Sequence, residues 1–169
     1  MRTVLSTVCW FLALSISLVA QHTPDFSGSY VLKSSGMSDS QSSALPRNVT
    51  WERLIRKVEQ DDKSIRIILR GRTGDIPREY KLDGTKIQGE EPDGSPTVEW
   101  AEIKGKQLVI RSSIKVVSGA LKGTPILKTQ KWELSKDLKT VMVHVQLESE
   151  EAHIMNDLLK LIYIRTKEP

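Results

Sequence analysis

Residues 124–147 read TPILKTQKWELSKDLKTVMVHVQL, and this stretch decides the fold. From Val141 to Leu147 every second residue is valine or leucine, and the residues between them include His144 and Gln146. A period of two is that of a β-strand with one face in a core and the other in solvent. Residues 124–134 form a second such run, and the four residues from Ser135 have the composition of a turn. The stretch therefore predicts an antiparallel β-hairpin.

The same pattern continues in both directions, because short strand-like runs separated by turn residues extend from residue 53 to residue 165. Strands are predicted at residues 27–33, 53–60, 64–70, 78–82, 85–88, 97–104, 107–117, 124–134, 139–147 and 158–166. Asp83 and Gly84 predict a type I′ turn between the fourth and fifth of these strands. No strong amphipathic helix is predicted, so the fold class is all-β, an up-and-down antiparallel meander of about 8–10 strands.

A meander of this length exposes two strand edges unless it curls into a barrel, so we expect a closed or nearly closed barrel. Two segments lack strand periodicity. Residues 34–47 contain six serines and predict a flexible loop near the mouth of the barrel, which is a candidate lid. Residues 148–157 are acidic and predict a connection with one helical turn at most.

The N-terminus has the pattern of an export signal. Arg2 is followed by an apolar stretch over residues 4–20, after which the sequence becomes polar. Residues 1–20 are therefore predicted to be a signal peptide, and residues 21–169 a single exported domain, periplasmic or extracellular. A retained anchor is the alternative, because an apolar run of about 17 residues is at the lower limit for spanning a bilayer. The only cysteine, Cys9, lies in this leader, so no disulfide or thiol nucleophile is predicted in the mature domain.

Charge and motifs exclude several classes of function. The formal net charge is +4, and the two signs alternate along the chain, which is not the footprint of a nucleic-acid-binding protein. The three histidines, His22, His144 and His153, have no catalytic motif around them, and no calcium loop or cysteine cluster is present. We therefore predict a protein that is not an enzyme and that has no cofactor and no metal site.

Four short segments resemble secreted lipocalin-like proteins of soil bacteria, most members of which have no assigned activity. Residues 25–32 (DFSGSYVL) resemble the opening "DFSGTWKL" of that family, and residues 131–141 (KWELSKDLKTV) resemble its "RWTLSEDGKTL" hairpin. Residues 80–84 resemble "YTLDG" and residues 103–110 resemble "WDGDTLVV", and all four occur in the family's order. The resemblance implies an exported, lipocalin-like (calycin-type) barrel with a small-molecule role. It also implies that Tyr30, where the family usually has Trp, closes the barrel floor with a hydroxyl that needs a partner.

The predicted function is the binding of a small, mainly apolar molecule or lipid inside the barrel, without stable membrane insertion after leader cleavage. The candidate ligand-binding residues are Tyr30, Arg56, Tyr80, Ser112, Gln130 and Trp132. If Arg56 points inward, an anionic head group is its natural partner. If a bulge shifts the strand, Arg56 lies in solvent and Ile55 inside. The alternative function is that of a structural or protein-interaction module of the cell envelope with a filled barrel.

Overall fold

The computed structural model describes residues 23–37, 54–70, 74–91, 93–151 and 154–166. These residues form the strands β1 (Gly28–Met37), β2 (Leu54–Gln60), β3 (Ser64–Arg70), β4 (Asp75–Lys81), β5 (Ile87–Glu90), β6 (Pro96–Lys104), β7 (Gln107–Lys115), β8 (Pro125–Leu134), β9 (Thr140–Ser149) and β10 (Ile154–Thr166). A single short 3₁₀ helix within these ranges, Gly119–Leu121, separates β7 from β8. No helix in the described part of the chain is long and apolar enough to cross a membrane. The predicted leader, residues 1–20, lies outside the described residues.

All ten strands belong to one antiparallel sheet in the order β4-β3-β2-β1-β10-β9-β8-β7-β6-β5. The first and last strands pair along their lengths, from Ser29 opposite Thr166 to Met37 opposite Leu159. This pairing joins the first strand to the last and curls the meander into a nearly closed barrel. The predicted all-β class and up-and-down topology are confirmed.

The barrel has one seam, which we define as the line where the edge strands β4 and β5 face each other. Within the described residues the two strands share no backbone ladder. The loop after β4 instead reaches β6, since Asp83 forms an isolated bridge with Glu102 and the Gly84 amide donates to the Ala101 carbonyl at 3.0 Å. The predicted type I′ turn at Asp83 and Gly84 is therefore wrong. Gly84 has a φ of 82°, but Asp83 lacks the positive φ that such a turn requires, because it is extended against β6.

The strand ends differ from the predicted ones where pairing is long-range. β1 continues through Met37, four residues further than the alternation indicates, because its partner β10 satisfies its backbone groups whatever the side chains are. Of residues 148–157, positions 148–149 and 154–157 are strand, and none of the described residues in this range is helical. β9 runs on to Ser149, β10 already begins at Ile154, and the register shifts between Asp157 and Leu159. The remainder of the predicted Ser-rich loop, residues 38–47, lies outside the described residues.

Alternate residues of the strands fill the barrel interior, as the period of two predicts. Val141, Val143, Val145 and Leu147 are all buried, and their neighbours on β9 are only half-buried. The main core cluster comprises Phe26, Tyr30, Ile55, Val58, Ile65, Ile67, Tyr80, Ala101, Leu108, Ile110, Trp132, Val141, Val143, Val145 and Tyr163.

The floor of the barrel is formed by Phe26, Tyr30, Trp132 and Arg165. Phe26 packs edge-on against Trp132, with ring centroids 6.2 Å apart. The Tyr30 hydroxyl donates to the Phe26 carbonyl at 2.6 Å and accepts a hydrogen bond from Arg165 Nη2 at 3.2 Å. The Arg165 guanidinium also lies 5.8 Å from the Tyr30 ring centroid, which is cation–π distance. Tyr30 thus occupies the floor position that the resemblance implied, and its buried hydroxyl has partners.

Candidate ligand-binding site

The interior of the barrel has two chemically different walls. The apolar wall is formed by inward side chains of β2, β3, β9 and β10, among them Val58, Ile67, Val143, Val145 and Leu161. Inward polar side chains of the described residues lie on β4 to β8, where they alternate with apolar core residues such as Ala101, Leu108 and Ile110. We call these polar residues and Gly89 the polar wall, which comprises Arg78, Tyr80, Gly89, Thr97, Glu99, Ser112, Lys128 and Gln130. An apolar interior with its polar groups gathered on one side suits a ligand with an apolar body and a polar end.

Glu99 is the central residue of the polar wall. It is only 4% exposed, although it is an acidic side chain. Its Oε2 accepts a hydrogen bond from the Tyr80 hydroxyl at 2.6 Å, and its Oε1 accepts one from Thr97 Oγ1 at 2.7 Å. Because Tyr80 is on β4 and Glu99 on β6, the first of these bonds crosses the seam. Two donors therefore hold the Glu99 carboxylate in one orientation inside the barrel.

Tyr80 acts as a permanent donor in this cluster. Burial raises the pKa of Tyr80 well above its ordinary value, and the adjacent Glu99 carboxylate raises it further. The phenol is therefore protonated at neutral pH and can donate its hydrogen bond.

Because residue 89 on β5 is a glycine, it leaves space for the polar side chains of Thr97, Glu99 and Arg78, which we call the Glu99 cluster together with Tyr80. A Cβ atom at this position would lie 2.7 Å from both Glu99 Oε1 and Thr97 Oγ1, and 3.2 Å from Arg78 Nη1. These contacts are shorter than a real side chain tolerates, so the three polar groups converge over the bare backbone of β5. Arg78 also donates from Nη2 to the Glu90 carbonyl, which ties β4 to β5 across the seam.

Ser112 and Gln130 supply hydrogen-bonding capacity that the protein does not use. Ser112 is 4% exposed, and its hydroxyl makes no hydrogen bond with another residue in the described part of the chain. The side-chain oxygen of Gln130 accepts from Trp132 Nε1 at 3.2 Å, while its amide nitrogen has no acceptor among those same residues. Gln130 is half-buried, whereas Ser112 is buried. A buried polar group without a partner costs free energy, so the Ser112 hydroxyl is a candidate contact for another molecule.

Five of the six sequence-predicted site residues lie inside the barrel. Tyr80, Ser112 and Gln130 belong to the polar wall, while Tyr30 and Trp132 lie at the floor.

Arg56 is the exception, and it lies outside. Its side chain is 61% exposed and pairs with Asp75 at 2.9 Å. The register of β2 against β3 shifts between Ile55 and Lys57, which leaves Ile55 buried and turns Arg56 to solvent. Of the two sequence alternatives, the bulged strand is the one observed, and Arg56 offers the interior no partner for an anion.

Sequence reasoning missed Thr97, Glu99, Gly89 and Arg78. On β6 the apolar side chains of Val98 and Trp100 are only half-buried, while Thr97, Glu99 and Ala101 are buried. Glu99 lies on the same face of β6 as Ala101 and Ile103, and this face is opposite the strongly apolar start of β7. That pattern is the signal that could have identified the inward face of β6.

The histidines do not contribute to this site in the part of the chain that is described. His144 lies on the outer face, with Lys131 and Lys160 as its partners on the neighbouring strands. His22 and His153 lie outside the described residues. Across residues whose positions are described, no group of three or more histidine, cysteine or acidic side chains is placed to hold a metal ion.

Comparison with known proteins identifies the fold. No family model and no curated protein sequence matches the chain. Among solved structures, the REP1-NXSQ fatty acid transporter matches with a TM-score of 0.53 at 14% identity, over 85% of this chain and 97% of that one. The fatty-acid-binding protein 1 of Echinococcus granulosus matches with a TM-score of 0.54 at 9% identity, over 84% of this chain and 98% of that one. The protein therefore has the same nearly closed barrel fold as these two structures, which are named as a fatty acid transporter and a fatty-acid-binding protein.

Proposed function

We propose that this protein is an exported, non-enzymatic barrel that binds a small, mainly apolar ligand in its interior. The observation that carries the proposal is the pairing of an apolar wall with a polar wall on which Ser112 and Gln130 have unused hydrogen-bonding groups. An apolar ligand gains free energy from burial against the first wall, roughly 25 cal/mol per Å² of apolar surface. The second wall fixes the orientation of its polar end.

The barrel end opposite the floor is the route by which such a ligand enters. β1 and β2 pair only at Gly28 and Ser29, so they diverge toward this end. Leu69, Leu159 and Leu161 face the interior there and are only partly buried, whereas the aromatic floor residues Phe26, Tyr30 and Trp132 are almost fully buried. The apolar lining of the barrel is thus most accessible at the end where the two strands diverge.

The fold relatives support an aliphatic ligand. The two solved structures described above, which match over most of their length, are named for the binding or transport of fatty acids. A fold can host several functions. The ligands of these two proteins therefore support an apolar body for the ligand of this protein, but they give no information about its polar end.

Export rests on the apolar stretch that follows Arg2 and on the polar sequence that begins at Gln21. We expect the mature chain to begin at Gln21, as measured by the intact mass of the protein recovered outside the cytoplasm. A recovered mass that includes residues 1–20 would mean that the leader is retained.

Native mass spectrometry of the gently purified protein tests the binding function. We expect one small apolar molecule per chain, and we expect the delipidated protein to bind one aliphatic fluorescent probe. Ser112 and Ser113 are neighbours on β7, but the first is buried and the second is exposed, so they form a matched pair. Ser112→Leu should weaken probe binding by about tenfold or more because it fills the interior, and Ser113→Leu should leave it unchanged. A delipidated protein that binds no probe would instead favour the filled-barrel alternative.

A further inference from the structure

We propose that the barrel selects apolar ligands whose polar end is a hydrogen-bond donor, an alcohol or an amine, and discriminates against a carboxylate, with Glu99 as the specificity-determining residue. This inference rests on the proposed function and deepens it. Its starting point is that the polar wall has a buried carboxylate at its centre.

Glu99 has acceptor capacity to spare. A carboxylate offers about four lone-pair positions, and the Tyr80 and Thr97 hydroxyls use one on each oxygen. Both of these donors are fixed by their strands, so they hold the carboxylate in place without saturating it. A ligand hydroxyl or ammonium group can therefore donate to Glu99 without displacing either protein donor.

Ser112 places the ligand's polar end beside Glu99. The two residues are direct register partners on β6 and β7, and side chains in such a pair lie about 5 Å apart at their Cβ atoms. An alcohol bound here can donate to Glu99 and accept from the Ser112 hydroxyl or the free Gln130 amide. A single ligand hydroxyl would thus use a spare acceptor position of Glu99 and give a partner to at least one unused donor of the polar wall.

A carboxylate at the same place would meet a like charge. Each cation of the polar wall already has a protein partner, because Lys128 pairs with Glu91 at 2.5 Å and Arg78 donates to the Glu90 carbonyl. Arg78 is also the cation beside Glu99, because its Nη1 and Glu99 Oε1 lie 3.2 Å and 2.7 Å from the same point, the position that a Cβ atom at Gly89 would take. A second carboxylate would leave the cluster with a net negative charge in an interior of low dielectric constant, which is unfavourable.

The test compares three ligands of equal chain length, a primary alcohol, a primary amine and a fatty acid, as competitors for the aliphatic fluorescent probe at neutral pH. We expect the alcohol and the amine to displace the probe from the wild-type protein at concentrations about tenfold lower than the acid. Glu99→Gln, which removes the charge and keeps the shape, should bring the acid within about threefold of the alcohol. Glu79→Gln is the control, because Glu79 is an exposed carboxylate on β4 next to Tyr80.

Each outcome separates this inference from the function on which it rests. Tighter binding of the acid than of the alcohol by the wild-type protein overturns the inference, and so does an unchanged order in a folded Glu99→Gln variant. If that variant does not fold, the order measured on the wild-type protein still decides the question. If the probe does not bind to the wild-type protein, the proposed function itself fails.

Discussion

The hydroxyls of all three tyrosines in this chain lie in the barrel interior or its floor. Tyr30, Tyr80 and Tyr163 are each no more than 5% exposed. Burial raises the pKa of Tyr163 to about 12, although a hydrogen bond with the Ile55 backbone partly offsets this effect. Burial likewise raises the pKa values of Tyr30 and Tyr80, and at Tyr30 the Arg165 guanidinium opposes the rise. Each phenol therefore ionises less readily in the folded protein than in the unfolded chain.

An alkaline titration followed by tyrosinate absorbance should show no tyrosine with an ordinary pKa in the folded protein. The pKa values of the three tyrosines are higher in the folded protein than the unfolded value of 10.0, so the stability that the neutral, buried phenols provide is complete below pH 10. That stability is lost as the pH rises from 10 through the pKa values of the folded protein. We expect absorbance and unfolding to increase together above pH 10, whereas in denaturant all three tyrosines should titrate near pH 10. Ionisation of even one tyrosine near pH 10 in the folded state would show that it is accessible to water.

Arg56 shows how one residue can reverse a site prediction. Side chains alternate between the faces of a strand, so the single-residue bulge beside Arg56 moves it from the interior to solvent. The sequence predicted the alternation and left the bulge as one of two alternatives, but it could not decide between them, since no glycine or proline marks the bulge. The same limit explains why Glu99 was missed: its inward position depends on the register of β6 against β7.

Arg56→Ala should therefore leave ligand affinity unchanged. It removes an ion pair with Asp75 whose two side chains are both largely in solvent. Pairs of this kind contribute about 0–1 kcal/mol to the free energy of unfolding, which urea denaturation can measure. A large loss of affinity in this variant would return Arg56 to the ligand site and contradict the observed register.

At the scale of the elements, local hairpins could be predicted well and long-range pairing could not. β3 has its predicted bounds, and β8 and β9 differ from theirs by only one or two residues, because their apolar alternation and turns are encoded locally. The end of β1, the start of β10 and the loop after β4 were predicted poorly. Their backbone groups pair with β10, β9 and β6, and nothing in the local sequence reports those partners.

The short strand β5 offers a test of the seam. Gly89→Ala would place a methyl group 2.7 Å from Glu99 Oε1 and from Thr97 Oγ1, so their hydrogen bonds must shift. We expect a loss of about 1–3 kcal/mol in the free energy of unfolding, and weaker ligand binding. Gln88→Ala is the matched control, because the neighbouring side chain on the same strand is exposed. A Gly89→Ala variant as stable as the wild type would mean that the polar cluster has room to spare.

At the scale of the whole molecule, closure of the barrel joins residues that are remote in sequence. β1 pairs with β10, and Tyr30 meets Arg165 at the floor, while Tyr80 meets Glu99 across the seam. These contacts leave one end closed by packed aromatic rings and the other lined by partly buried leucines. The division of the interior into an apolar and a polar wall exists only in the closed barrel, which is why the sequence predicted single site residues but not their arrangement.

Calorimetric titration of the delipidated protein with a long-chain alcohol, at several temperatures, tests the central claim most directly. If the interior binds apolar ligands, the titration should saturate at one molecule per chain. Its heat capacity change should be negative, because apolar surface leaves water on binding. The absence of saturable heat at every temperature would contradict the account and identify the barrel as filled.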